Sequence, residues 1–284
     1  MSDELSIEER LIILRDIINV LEDPLKAIST LKWDPSNGFW TLILRSVLVR
    51  QYEALQAIVD LIRAERAHLC VPLLRPSVEE YLWVQFLQTL SDKDREDFIL
   101  AKSTVEGYKT LRAQWNDAGS AIMIQLGFPA NYLSVRKVTN DDATKKLVEL
   151  ATRLKWEVGR DKIPTTGFVA KKTGNETMYS LIYHATSRTV HFTTSELLRR
   201  TWGNAEGVTV NSKMMNGYWA AFSLYWAPRI FLLTFLGLID EFERLSIDFE
   251  LDDSMNDIMK RFLNLGKVAI VTPEELNLRP SQKW

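Results

Sequence analysis

The chain has 284 residues, of which 46% are hydrophobic and 25% are charged, and its formal net charge is −2. This balance is that of an ordinary globular protein, so disorder along the whole length is excluded. Because the net charge is close to zero, no global field draws the chain toward nucleic acid or an anionic membrane. The single cysteine, Cys70, excludes an internal disulfide, so we expect a cytoplasmic protein with this thiol buried.

Apolar residues recur with helical spacing along almost the whole chain. The first predicted helix begins at Ile7, and Pro24 is expected to stop or kink it. Long helices are predicted over residues 39–67 and 73–90. Ser91 is predicted to cap the helix that follows, because its hydroxyl can accept a hydrogen bond from the first turn.

The second half of the chain is less regular at its start. Residues 119–139 contain glycine and proline, and a helix is predicted over 140–158. Residues 159–172 have the most loop-like composition. One continuous helix is predicted over 175–200, and residues 208–210 are predicted to form a short extended segment.

A strongly apolar helix is predicted over residues 213–242. Residues 219–238 have about the length that crosses a bilayer, and few of them are polar. Pro228 and Arg229 lie in the middle, and a central arginine costs about 2.5–3.5 kcal/mol on insertion. We therefore predict a buried core helix and no membrane partner, with a membrane span or a partner-binding surface as the alternatives.

These elements predict an all-α fold, an antiparallel multi-helix bundle of seven to nine helices with irregular loops. A single helical domain is predicted over residues 1–267, followed by a C-terminal tail over 268–284. The chain lacks the glycine-rich phosphate loops, the His-Glu-x-x-His motif and the Cys-x-x-Cys motif. We therefore expect no cofactor and no metal, and we find no DNA-binding motif.

Two of the three histidines fall in one predicted helix, together with an arginine. At about 100° per residue, His184, Arg188 and His191 fall within about 40° of one another around the axis. Tyr183 and Ser187 lie on an overlapping ridge. Imidazoles titrate near neutral pH and a guanidinium binds phosphate, so these side chains suit proton transfer on a phosphodiester. The alternative is a polar seam that orders the bundle.

A second polar pair is predicted at the start of an earlier helix. Arg75 and Glu79 are four residues apart and therefore meet on one helical face. Such a pair either orients a ligand phosphate or fixes helix register.

The two polar groups, taken in order, resemble a known family. Leu-Leu-Arg-x-x-x-Glu, here Leu73 to Glu79, is followed by Tyr-x-x-x-Ser-x-x-x-His, here Tyr183 to His191. This order resembles an uncharacterised, mainly bacterial helical family, domain of unknown function number 5677, over about residues 40–240. The resemblance implies that Arg75, Glu79, Tyr183, Ser187 and His191 are shared polar positions.

That family is similar in architecture to the HEPN-type helical ribonucleases of toxin–antitoxin and phage-defence systems. Their mark is an arginine followed four to six residues later by a histidine, whereas here Arg188 precedes His191 by three. One helical turn still separates the two side chains.

Two hypotheses of different class follow. The first, which we favour from the sequence, is a helical interaction or effector subunit of a bacterial defence or toxin–antitoxin system. It would act as a homo-oligomer or with a protein partner, and its polar His/Arg seam would order the bundle. The second is a metal-independent HEPN-like ribonuclease in which Arg188 binds the phosphate, His191 transfers the proton with His184 as its partner, and RNA is the substrate. Arg75 and Glu79 would support this site from the facing helix.

Overall fold

The computed structural model describes residues 5–32, 34, 38–159, 162–191, 193–204, 206–244 and 253–268. Within them the chain is all-α, as predicted, with eleven α-helices and one β-hairpin. The elements are α1 (Ile7–Thr30), α2 (Gly38–Arg63), α3 (Val71–Gln88), α4 (Asp92–Gln125), α5 (Tyr132–Arg153), α6 (Thr166–Lys172), α7 (Glu176–Val190), α8 (Thr194–Leu198), β1 (Thr201–Asn204), β2 (Gly207–Val210), α9 (Asn216–Leu236), α10 (Ile239–Arg244) and α11 (Asp253–Leu263).

Short helices explain why the described residues contain more helices than the seven to nine predicted. The segment predicted as a loop over 159–172 ends in α6. The Thr165 hydroxyl accepts a hydrogen bond from the Phe168 amide at 3.2 Å and caps this helix. The helix also buries Phe168 and Val169. The cap and this burial stabilise a helix where Pro164 and Gly167 had indicated a loop.

The β-hairpin includes the predicted extended segment. Strands β1 and β2 are antiparallel, with Thr201 paired to Val210 and Asn204 paired to Gly207. The predicted Ser91 cap is also confirmed, because its hydroxyl accepts from the Asp94 amide at 3.2 Å. Pro24 does not stop α1, which runs six residues further to bury Leu25 and Ile28.

The described residues form two compact units. The first contains α1, most of α2 and α3, and everything from α7 onward; the second contains the start of α2, the end of α3, and α4 to α6. Their bounds are Met1–Lys32, Leu44–Val84 and Asn175–Trp284 for the first unit, and Trp33–Ile43 and Gln85–Gly174 for the second. The single domain over 1–267 stays a prediction, and the predicted tail lies outside the described residues apart from Val268.

The core of the first unit is built on α9, which packs against α1. Phe222, Phe231 and Phe235 of α9 are buried with Leu14 and Ile17 of α1. In the part of the chain that the structure describes, α9 is the one helix long and apolar enough to cross a bilayer. This is weak evidence for a span, since 72% of its most apolar window is buried, as in a core helix.

The core of the second unit is aromatic and lies beside the paired helices α4 and α5. Phe86 and Phe98 each contact the Trp156 ring, with centroids 5.4 and 5.5 Å apart. Arg153 of α5 makes a two-pronged contact with Asp94 of α4 at 2.6 and 3.0 Å. These bonds hold the pKa of the Asp94 carboxyl below its usual range.

A side chain from α4 caps the beginning of α2. Glu96 accepts hydrogen bonds from the Phe39 and Trp40 amides at 3.0 and 2.8 Å, so one carboxylate binds two N–H donors of the first turn. We expect Glu96→Ala to lower the free energy of unfolding by about 1–2 kcal/mol, measured by urea denaturation. Glu157→Ala, which removes an exposed carboxylate of the same unit, is the control. Equal effects of the two substitutions would contradict the capping role.

Candidate functional site

The candidate site begins with Arg75 and Glu79 of α3. The Arg75 Nε atom lies 3.1 Å from a Glu79 carboxylate oxygen, as the four-residue spacing predicts. Their side chains are 27% and 34% exposed, so the pair is neither sealed in the core nor fully solvated. Because Glu79 engages one edge of the guanidinium, it orients the remaining N–H donors.

His191 joins this pair from a distant part of the chain. Its Nε2 atom lies 3.5 Å from Nη1 of Arg75, which is 116 residues away in sequence. A guanidinium only donates hydrogen bonds, so this contact fits a neutral imidazole that presents the lone pair of Nε2. His191 itself is exposed.

His191 ends α7 and is not an interior residue of a longer helix. The single helix predicted over 175–200 is wrong, because α7 ends at Val190 and α8 begins at Thr194. The residues at the break are mostly β-branched or aromatic, and such side chains lose rotational freedom in a helix. His191 has an extended backbone, with φ −110° and ψ 160°, although its amide still bonds to the Ser187 carbonyl at 3.1 Å.

The Tyr183 ring packs against the Arg75 guanidinium. The Arg75 Cζ atom lies 4.9 Å from the centre of the Tyr183 ring, which is a cation–π distance. Tyr179 contacts the same ring one turn earlier, with centroids 5.5 Å apart. Arg75 therefore contacts Glu79, Tyr183 and His191, and these three contacts favour one orientation of its side chain.

The other predicted site residues lie along α7. His184 is exposed, and its ring meets the Tyr183 ring edge-on with centroids 5.9 Å apart. Ser187 and Arg188 are half-buried on the last turn of α7. The structure thus brings Arg75, Glu79, Tyr183 and His191 into contact, while His184 reaches this group only through Tyr183.

This arrangement joins an oriented cation to an accessible imidazole. The free donors of a guanidinium bind the oxygens of a phosphate or carboxylate, and a neutral imidazole beside it can accept a proton from a bound hydroxyl. Within the described ranges, no three His, Cys, Asp or Glu side chains are placed to share a metal ion. Arg75 and His191 are suited to anion binding and proton transfer.

Sequence reasoning missed a second polar cluster, which includes the third histidine. Glu196 and Arg199 form a buried ion pair at 3.4 Å, and the Arg199 Cζ atom lies 5.0 Å from the Trp219 ring centre. Burial, and then the charges of Arg200 and Arg66, lower the pKa of His68. The only local signal was the three-residue spacing of Glu196 and Arg199.

This second cluster is too closed to hold a substrate. His68, Glu196 and Arg199 line a cavity of about 10 Å³, which is about the room that one water molecule needs. Cys70, which lies nearby in sequence, is fully buried as predicted, and burial raises the pKa of its thiol to about 12. A thiol in this state does not serve as a nucleophile at neutral pH.

The fold and the site define an all-α protein with a partly exposed cluster of arginine, histidine and tyrosine between α3 and the end of α7. The chain belongs to the Family of unknown function (DUF5677), whose model matches residues 41–208. The matched segment contains every candidate site residue named above. No curated protein and no solved structure matches the chain.

Proposed function

We propose that this chain is a metal-independent ribonuclease whose site is formed by Arg75, Tyr183 and His191. The observation that carries the proposal is the 3.5 Å approach of the Arg75 guanidinium to the exposed His191 imidazole. A phosphate oxygen placed beside both groups would receive hydrogen bonds from Arg75, with a basic nitrogen next to the reacting ribose. The exposure of His191 supports this reading over a seam sealed inside the bundle.

The reaction follows from these positions. When the Arg75 N–H turns from His191 to the phosphate, the lone pair of His191 Nε2 is released. His191 then accepts the proton of the ribose 2′-hydroxyl at this nitrogen, and the 2′-oxygen forms a bond to phosphorus. The bond from phosphorus to the 5′-oxygen breaks, and that oxygen takes a proton from His184, whose ring meets the Tyr183 ring edge-on. Arg75 stabilises the extra negative charge on the phosphoryl oxygens in the transition state. The products are a 2′,3′-cyclic phosphate and a 5′-hydroxyl end.

In this proposal Arg188 is no longer the residue that binds the phosphate. The sequence favoured it as the phosphate-binding residue, whereas the contact with His191 supports Arg75 for that role. Arg188 is half-buried one turn before His191 and would support the end of α7. The setting in bacterial defence or toxin–antitoxin systems rests on the resemblance to the HEPN ribonucleases, and the cytoplasmic location rests on the single cysteine. Both are part of the proposal.

The test is cleavage of a labelled single-stranded RNA in buffer containing EDTA. We expect His191→Ala to lower the cleavage rate by about 10²-fold or more, because it removes the proton acceptor. The melting temperature should change by only about 1–2 °C, since the side chain is exposed. Val190→Ala, a substitution at the exposed neighbouring residue, is the matched control and should leave both quantities unchanged. Wild-type protein that leaves RNA intact would refute the proposal.

A second candidate is the interaction subunit with an ordering seam. The observation that favours it is that Arg75 contacts three side chains drawn from α3 and the end of α7, so it fixes how the two helices meet. Under this reading His191→Ala and Arg75→Ala would lower the melting temperature by several degrees, and the wild type would show no cleavage. The same set of variants therefore separates the two functions.

A further inference from the structure

Helix α5 carries an exposed face opposite the side that packs on α4. Its buried residues are Leu147, Leu150 and Ala151, on the side toward α4. At about 100° per residue, eight exposed residues on the other side fall within an arc of about 120°. They are Ser134, Lys137, Val138, Asp141, Lys145, Val148, Glu149 and Thr152, and they are called here the α5 outer face.

The order of residues on the α5 outer face is symmetric about Ala143. Lys137 and Glu149 lie six residues to either side of it, Val138 and Val148 lie five, and Asp141 and Lys145 lie two. In each charged pair the two members have opposite sign, and the apolar pair consists of two valines. A helix with such an order complements a copy of itself that runs in the opposite direction.

A two-fold axis at the height of Ala143 would bring the two members of each pair, one from each copy, to the same height. Two antiparallel copies of α5 place residues whose numbers are equidistant from Ala143 at the same height, because each residue rises about 1.5 Å. Asp141 and Lys145 lie about 20° to either side of the middle of the face, so Asp141 of each copy faces Lys145 of the other close to the axis. The two valines lie about 40°, and Lys137 and Glu149 about 60°, to either side of the middle. At equal height the members of these outer pairs therefore lie on opposite flanks, and the long Lys137 and Glu149 side chains reach across.

We propose that the α5 outer face is the surface through which two copies of this chain associate, with a two-fold axis at Ala143. Such an interface is isologous, since the same patch is used on both copies. Val138 and Val148 are 64% and 40% exposed in the single chain, and the association would cover them. The proposal is independent of the ribonuclease activity, because it uses no residue of the candidate site.

The charges favour a second copy over a membrane surface. An anionic bilayer attracts a face rich in lysine and arginine, and acidic residues weaken that attraction. The α5 outer face has two acidic and two basic side chains, so its net charge is zero. Alternating charge with exact pairing about one point is complementary to itself and gives an anionic surface no net attraction.

The association should be weak and sensitive to salt. One helix face of about 18 Å between Lys137 and Glu149 is a small interface, so we expect dissociation constants of about 1–100 µM. Lys137 also bonds to Asp141 of its own helix at 3.0 Å, so the ion pairs between copies compete with pairs inside one helix. Exposed ion pairs are screened by salt, so association should weaken between low and high salt concentration.

The experiment is sedimentation equilibrium of the full chain over a range of concentrations. We expect the wild type to form a dimer at low salt. Asp141→Lys alone should raise its dissociation constant about tenfold or more, because it places two lysines opposite each other twice across the axis. Lys145→Asp alone should do the same by opposing aspartates. The double variant Asp141→Lys with Lys145→Asp should restore the wild-type constant to within about threefold, since every pair between copies is again opposite in sign.

The reversal also restores opposite charges at residues 141 and 145, which are four apart within one helix, so the helical content and melting temperature of every variant are measured by circular dichroism. An effect at the interface changes the dissociation constant while both of these quantities stay unchanged. Asp117→Lys, which changes an exposed charge on α4, is the control and should leave association unchanged. A wild type that stays monomeric, or a dimer that Asp141→Lys leaves intact, would overturn the proposal. So would flotation with anionic phosphatidylglycerol vesicles in place of self-association.

Discussion

Arg75→Ala is expected to reduce RNA cleavage by about 10²–10³-fold, because it removes the side chain that Glu79, Tyr183 and His191 all contact. Arg75 bonds to Glu79, lies over Tyr183 and approaches His191 at 3.5 Å. Its loss removes the guanidinium that lies beside His191 and would stabilise charge on the phosphoryl oxygens. Its loss therefore affects the transition state more than the binding of RNA.

The measurement is the single-turnover cleavage rate together with the affinity for uncleaved RNA. Arg75→Lys keeps the charge and loses the planar fork, so its rate should fall between those of wild type and Arg75→Ala. Arg63→Ala removes an exposed arginine at the end of α2 and is the matched control for charge. If Arg75→Ala and Arg63→Ala have the same rate, the phosphate-binding role of Arg75 is wrong.

Phe231→Ala is expected to lower the free energy of unfolding by about 3–5 kcal/mol, the largest effect on stability that we predict. The Phe231 side chain is 1% exposed and lies at the centre of the first unit. Its ring stacks on Phe235, with centroids 6.1 Å apart, and contacts Tyr52 of α2 at 6.5 Å. Truncation leaves a cavity that this dense aromatic packing cannot fill without moving the helices.

Urea denaturation at neutral pH measures this effect. Leu236→Ala, on the same helix at 41% exposure, is the control and should cost about 1 kcal/mol or less. If α9 instead crossed a membrane with Phe231 facing lipid, the two substitutions would lower the free energy of unfolding in detergent by similar, small amounts. The ratio of the two free energies therefore also tests whether α9 is a core helix.

Local sequence rules predicted the elements whose causes are local. The Ser91 cap depends on a hydroxyl three residues from its amide partner, and the strand over 208–210 pairs with the antiparallel strand β1 that directly precedes it in sequence. The pairing of Arg75 with Glu79 likewise needs only one helical turn. The family was also correctly identified from two short motifs.

The errors occurred where packing competed with a local signal. Of the two outcomes predicted at Pro24, a stop or a kink, the stop is wrong, because burial of Leu25 and Ile28 continues the helix past it. The break at His191 has the opposite cause, because a β-branched stretch ends α7 although its polar spacing suits a helix. Composition alone does not show whether the burial of apolar side chains or the local helix propensity decides where a helix ends.

The sequence by itself determined that the chain is helical, which residues pair within one helix, and which histidines and arginines were candidates for the site. Only the tertiary structure decided that His191 meets Arg75 and that Glu96 caps α2. The physical reason is distance along the chain. A contact within one helix follows from the helical repeat, whereas a contact across 116 residues depends on how separate helices pack their apolar faces.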